Sequence, residues 1–219
     1  MDEEELRPSW RLKDRLRTSA VALVLCLNLG TDPPNVVKPN PCARRECWFD
    51  PVNVSKQKGV EVIGNALQQQ YEKLQSKSKY KQCLDPTLDE LRRVCLNLRK
   101  QARTDRLLFH YNGHGVPRPT ANGEFWTFGK NYTYYMPVSI LDIRSWFGNP
   151  AIYVIDCSGA GVAMPFFNDT MNHSTDQEDG MNNMRSDKRS GKRLFVVVNV
   201  ISMLQHLYWV LTSKLTIFY

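Results

Sequence analysis

Residues 20–30 read AVALVLCLNLG, an almost unbroken apolar run closed by Gly30. A run without polar alternation is what a strand buried on both faces requires, and such strands belong to parallel sheets covered by helices. Working outward, RLLFHY (106–111) reads as a short strand and AIYVIDC (151–157) as a second buried one. The stretches between them are helical. In GVEVIGNALQQQYEKLQ (59–75), Val60, Ile63, Leu67, Tyr71 and Leu74 fall at three- and four-residue steps and define one apolar face. In LDPTLDELRRVCLNLRKQA, either Asp85 caps a helix with Pro86 at its first position, or Thr87 and Glu90 form a capping box. Leu88, Leu91, Val94, Cys95 and Leu98 make the stripe of that helix, and SILDIRSWF (139–147) reads as a third. The order β-α-β-α-β predicts an α/β fold with a mostly parallel sheet flanked by helices.

Two segments interrupt this order. Residues 31–57 carry five prolines and no sustained period, so they are expected to form a long irregular connection. GEFWTFGKNYTYYMPV (123–138) alternates aromatic and polar residues, as a small hairpin or ordered loop would. Its aromatic residues Phe125, Trp126, Tyr132, Tyr134 and Tyr135 are expected to divide between roofing the sheet and facing a protein partner.

Composition narrows the function. The 219 residues suffice for one sizeable domain, with 42% hydrophobic and 11% aromatic content. The net charge of +7, from 29 Lys and Arg against 22 Asp and Glu, is scattered and not interleaved with stacking aromatics, so no nucleic acid partner is expected. The opening MDEEELRPSWRLKDRLRT is too charged for a signal peptide, so the six cysteines at 26, 42, 47, 83, 95 and 157 are expected to be reduced thiols of a cytoplasmic protein. Cys42 and Cys47 have no second ligand pair at metal-binding spacing; neither metal nor cofactor is expected.

The candidate chemistry lies beyond the carboxyl ends of the strands, where ligands bind in such sheets. His114 in NGHG follows the strand 106–111, and Cys157 in DCSGAG ends the strand 151–157. A thiol needs a base or imidazolium beside it to become a nucleophile at neutral pH, flanking glycines let a substrate approach the ring, and free backbone N–H groups after Cys157 would hold an oxyanion. The plainer reading makes Cys157 a buried strand-end thiol and His114 a turn residue. His110 reads as out of phase with Leu108, a hydrogen-bonded structural position on the other side of the sheet.

Strand-His-Gly followed by strand-Asp-Cys resembles the caspase and metacaspase fold. SWRLKDRLRTSAVALVLCLNLGTDPPNVVKPNPCARRECWFDP, YKQCLDPTLDE and LLFHYNGHGVPRPTANGEFWTFGKNYTYYMPVSI are similar, within that group, to the N-terminal caspase-like domain of the raptor family, over residues 9 to about 162. The resemblance implies a caspase-like sandwich, incomplete on its C-terminal side, and a non-catalytic scaffold of target of rapamycin complex 1. Such scaffolds bind the target-of-rapamycin kinase, recruit kinase substrates and dock Rag GTPases at the lysosomal surface. The metacaspase pattern Asp-Ser-Cys-His-Ser-Gly has its nucleophile third, so an ungapped match puts Ser158, not Cys157, in that place. A one-residue displacement at a strand end turns the thiol to the opposite side, and no orienting carboxylate is evident for His114. His114 and Cys157, or Ser158, are thus the dyad positions of an expected pseudoenzyme; the alternative is a cysteine peptidase using His114 and Cys157.

Four segments follow: a charged N-terminal segment (1–18), a partial caspase-like domain (19–167), a polar linker (168–193) expected to be disordered, and a hydrophobic tail (194–219) read as a possible helix. Leu194 to Ser213 carries no formal charge and follows KRSGKR, the length and flank of a membrane span. A transmembrane anchor, a helix packed on the sheet, and a sequence from alternative splicing or an unspliced intron all fit this tail, and the last fits best because the family likeness ends abruptly. With the domain cut short, the strand ending at Cys157 is expected to present an uncovered edge, with marginal stability as the consequence.

Overall fold

The computed structural model describes residues 17–31, 34, 53–130, 134–167 and 194–199. The chain runs β1 (Thr18–Leu25), α1 (Lys56–Leu74), β2 (Lys79–Leu84), α2 (Leu88–Ala102), β3 (Arg106–Asn112), β4 (Glu124–Phe128), β5 (Tyr135–Ser139), α3 (Ile140–Phe147), β6 (Ala151–Asp156), a single 3-10 turn (Ala160–Ala163) and β7 (Leu194–Asn199). Five strands form one parallel sheet in the order β2-β1-β3-β6-β7, while β4 and β5 pair antiparallel as a separate hairpin. This is the mixed α/β arrangement, with a mostly parallel central sheet flanked by helices, expected from the sequence.

Crossover handedness distributes the helices. The step from β1 to β2 runs one way along the sheet and the step from β2 to β3 runs back, so right-handed connections place α1 and α2 on opposite faces. Val21, Leu23 and Leu25 of β1 accordingly pack with Val60, Ile63, Leu67 and Tyr71 of α1. Ala20, Ala22 and Val24 point the other way, into the larger cluster with Leu91, Val94, Cys95 and Leu98 of α2 and Ile140, Ile143 and Phe147 of α3. Within that cluster Phe109 meets Phe147 at 5.4 Å and Tyr153 meets Phe167 at 5.4 Å between ring centroids. Such aromatic contacts, the first edge-on and the second tilted, add about 0.5–1.5 kcal/mol each beyond the burial itself.

Several boundaries differ from expectation for identifiable reasons. The first strand stops at Leu25 instead of continuing to residue 30, because Asp85 Oδ1 accepts hydrogen bonds from Leu27 N (2.8 Å) and Asn28 N (3.2 Å) and turns the chain out of the sheet. Asp85 is therefore not the cap of α2. Thr87 is, its hydroxyl oxygen accepting from Glu90 N at 3.3 Å. Leu74 lies 68% exposed at the end of α1 and drops out of the apolar stripe. Strand β2 was not expected at all: in KYKQCL only Cys83 is fully buried, so an edge strand with one wet face leaves no apolar signature.

The tail also departs from its reading. Leu194–Asn199 is a strand pairing in parallel with β6, from Ala151↔Leu194 to Asp156↔Asn199, not part of a helix. It occupies the edge of β6 that was expected to stand uncovered. The linker 168–193 and residues 200–219 lie outside the described residues, as do residues 1–16, Cys42, Cys47 and Tyr132. Among the described residues, no helix is long and apolar enough to cross a membrane.

One side chain ties the α2–α3 layer to the sheet. The Arg99 guanidinium donates to the carbonyls of Phe147 (2.6 Å), Arg103 (3.2 Å), Asp105 (3.0 Å) and Pro150 (3.0 Å), which end α3, end α2, and lead into β3 and β6. Only a planar five-donor fork reaches all four acceptors. Arg99→Ala should lower unfolding free energy in urea titration by about 2–3 kcal/mol, with Arg99→Lys recovering less than half of the loss.

Candidate functional site

The carboxyl ends of β1, β3 and β6 lie side by side, with Leu25 opposite Asn112 and Asn112 opposite Asp156. The loop after β3 is stitched onto both neighbours: Gly113 N donates to Asp156 O (2.9 Å) and Gly115 N to Cys26 O (3.0 Å). Gly115 sits so close to the chain leaving β1 that a Cβ there would lie 1.5 Å from Leu27 O. The glycine is thus required by backbone packing and not by any approach to the histidine before it.

His114 is held in this loop. Its backbone N–H donates to Asn112 Oδ1 (3.2 Å), and its Nε2 lies 3.0 Å from Asp156 Oδ1, with the two side chains 16% and 15% exposed. Asp156 Oδ1 accepts from the Nε2–H of the ring, a contact that orients the imidazole. The sequence reading found no carboxylate for His114; the structure supplies Asp156. The signal was available, because parallel strands in register put the last residues of β3 and β6 next to each other.

Cys157 is placed differently. Ala151, Tyr153 and Ile155 of β6 belong to the α2-side cluster, and Cys157 continues that alternation, 2% exposed, in the same cluster as Cys26 and Tyr111. Burial, and then the neighbouring Asp156 charge, push its thiol up to about 12, so at neutral pH it is a protonated thiol. Asp156, one residue earlier, belongs to the opposite face and meets His114. Ser158 is exposed on the turn that follows, before Gly159 in the left-handed conformation at φ 73°. The structure therefore brings His114 to Asp156, and sets Cys157 into the core and Ser158 at the surface.

His110 shares the face of Leu108, contrary to the reading that set them out of phase; residues two apart in a strand point the same way. It is 5% exposed, with Nδ1 2.9 Å from the Tyr71 hydroxyl of α1 and its ring edge-on to that of Tyr71. Its Nε2 is buried with no hydrogen-bond partner among the described residues. Burial lowers its pKa to about 4, against smaller opposing help from Asp156, so His110 is neutral in the fold. In the hairpin, Phe125 is buried, Trp126 and Tyr135 are half-buried and Tyr134 is exposed.

Comparison with known proteins reaches the same region. A family model described as "Raptor N-terminal CASPase like domain" matches residues 16–167. Over 159 residues, 73% of this chain, the sequence is 57% identical to a protein raptor homolog of Dictyostelium discoideum, covering 10% of that protein. It is 54% identical over 159 residues to target of rapamycin complex 1 subunit mip1 of Schizosaccharomyces pombe, covering 73% of this chain and 12% of that one. The crystal structure of Chaetomium thermophilum Raptor is similar at a TM-score of 0.66 and 44% identity, over 78% of this chain and 15% of that chain. The chain thus spans roughly a tenth of the length of these curated relatives.

Two outcomes follow from the packing. Gly115→Ala should destabilise the chain by on the order of 3 kcal/mol or more in urea titration, because the added methyl meets backbone, not a side chain that can rotate away. For His110, the unfolded chain takes up a proton near pH 6.5 while the folded chain resists until about pH 4. Its contribution is therefore complete above pH 6.5 and is lost as pH falls toward 4, by about 3 kcal/mol in all. Stability curves of wild type and His110→Gln between pH 4 and 7 test this; equal slopes would refute it.

Proposed function

Because the chain belongs to the raptor N-terminal caspase-like domain family, we propose that it is a non-catalytic scaffold element of target of rapamycin complex 1, a caspase-like pseudoenzyme that helps position the target-of-rapamycin kinase and its substrates. The observation that carries this reading is the division at the end of β6. Asp156 turns to His114 while the Cys157 thiol is buried in the opposite core with its pKa raised, so the acid-base pair and the thiol face away from each other. A cysteine nucleophile needs the reverse: an accessible sulfur with a lowered pKa beside the imidazole.

In this reading the His114–Asp156 pair holds the loop after β3 against β6, and the half-buried Trp126 and Tyr135 with exposed Tyr134 form part of the surface offered to a protein partner. Docking of Rag GTPases and recruitment from the cytoplasm to the lysosomal surface belong to the same proposal. They rest on kinship with proteins whose length this chain covers only in small part.

One observation favours a second reading. An aspartate-oriented histidine in the loop after β3, with an exposed Ser158 hydroxyl after the adjacent strand β6, is a fragment of hydrolytic machinery. Co-purification from cells separates the two, comparing wild type with His114→Ala/Cys157→Ala and probing for the target-of-rapamycin kinase. Equal kinase recovery by both forms, with no labelling of Cys157 or Ser158 by fluorophosphonate or iodoacetamide probes, is the expected result. Labelling of either residue that disappears in His114→Ala would overturn the non-catalytic reading.

A further inference from the structure

Strand β2 ends the sheet, and among the described residues no strand pairs with its outer edge. It is a regular edge: six consecutive residues, Lys79 to Leu84, stay in register with Ala20 to Leu25 without a bulge, and KYKQCL contains no proline. Its two faces differ. Lys79 and Lys81 lie on the α2 side, the face of Cys83, and both are exposed, as are Lys77 just before the strand and Lys73 at the end of α1. On the α1 side Tyr80 and Leu84 are half-buried against the core, and Gln82 is held by Asn65 (3.0 Å) and Gln68 (2.8 Å) of α1.

An unpaired edge of this kind is a template for another strand, and exposed lysines on it repel basic strands and hold off apolar ones that cannot meet the charge. They do not exclude a strand whose side chains on that face are acidic, since opposite charges directly across a ladder attract. We propose that the outer edge of β2 is a docking strand for an extended acidic segment of a protein partner. That segment adds a sixth strand to the sheet, with acidic side chains at alternate positions opposite Lys79 and Lys81 and apolar ones between them beside Tyr80 and Leu84. Backbone pairing supplies the attachment and the lysine row supplies the selection. The proposal stands on the edge and its charges, and does not depend on the scaffold reading.

Labelled eight-residue peptides test it with the full chain: alternating Glu-Val, alternating Lys-Val, and a block peptide of four Glu followed by four Val. Fluorescence anisotropy should show the alternating acidic peptide binding at least tenfold more tightly than either of the others, and hydrogen exchange should show new protection of the β2 amides when it is bound. K79E/K81E, which alters two exposed side chains, should lose at least tenfold for the acidic peptide and gain affinity for the basic one. Equal binding of the block peptide would reduce the site to general polyanion attraction and overturn the proposal. So would absence of binding to the wild type, indifference to the charge reversal, or self-association of the chain through β2 that the acidic peptide does not compete with.

Discussion

A parallel sheet obliges adjacent strands to end at one edge, and the pleat obliges successive side chains to part company there. At the end of β6 these two constraints meet in a single dipeptide. Asp156 is delivered to the loop that carries His114, because Asn112 and Asp156 are in register. Cys157 is delivered to the opposite core for the same geometric reason. Shifting β6 by one residue would exchange the two, and would also turn Tyr153 and Ile155 out of the cluster they fill. The position of the candidate chemistry is therefore a consequence of core packing, and cannot be changed without it.

The surrounding contacts protect that arrangement. Gly113 and Gly115 fasten the His114 loop to β6 and to the chain leaving β1, and Gly115 admits the Leu27 carbonyl at a distance no side chain would tolerate. Asp85 holds the same exit of β1 from the other side, at the cost of a buried carboxylate whose pKa burial raises against the help of two backbone N–H groups. Arg99 does the corresponding work at the opposite end of the sheet, closing the carbonyls at the starts of β3 and β6. The exit of β1 and the approaches to β3 and β6 are thus each fixed by an ionisable side chain that satisfies backbone atoms.

Much of the fold was legible because its central strands are buried on both faces. The runs at 20–30, 106–111 and 151–157 announce themselves, and the stripe of α2 appears intact in the core. What escaped was whatever lacks a periodic apolar signature of its own. Strand β2 is half wet, and β7 was hidden in a uniformly apolar tail whose period cannot separate strand from helix. At the site, His114 and the doubt over Cys157 were readable from local spacing, whereas the partner of His114 lies 42 positions away along the chain.

The sequence by itself determined the class of sheet and the helices that cover it, because burial on two faces and helical periodicity are written in consecutive residues, and its motifs separately carried the resemblance to a family. Only the tertiary structure decided that Asp156 serves His114, that Cys157 does not face it, and that Leu194–Asn199 joins the sheet. Those outcomes depend on which residues come into register across strands distant in the chain, and register is settled by the packing of the whole sheet and not by any stretch of it.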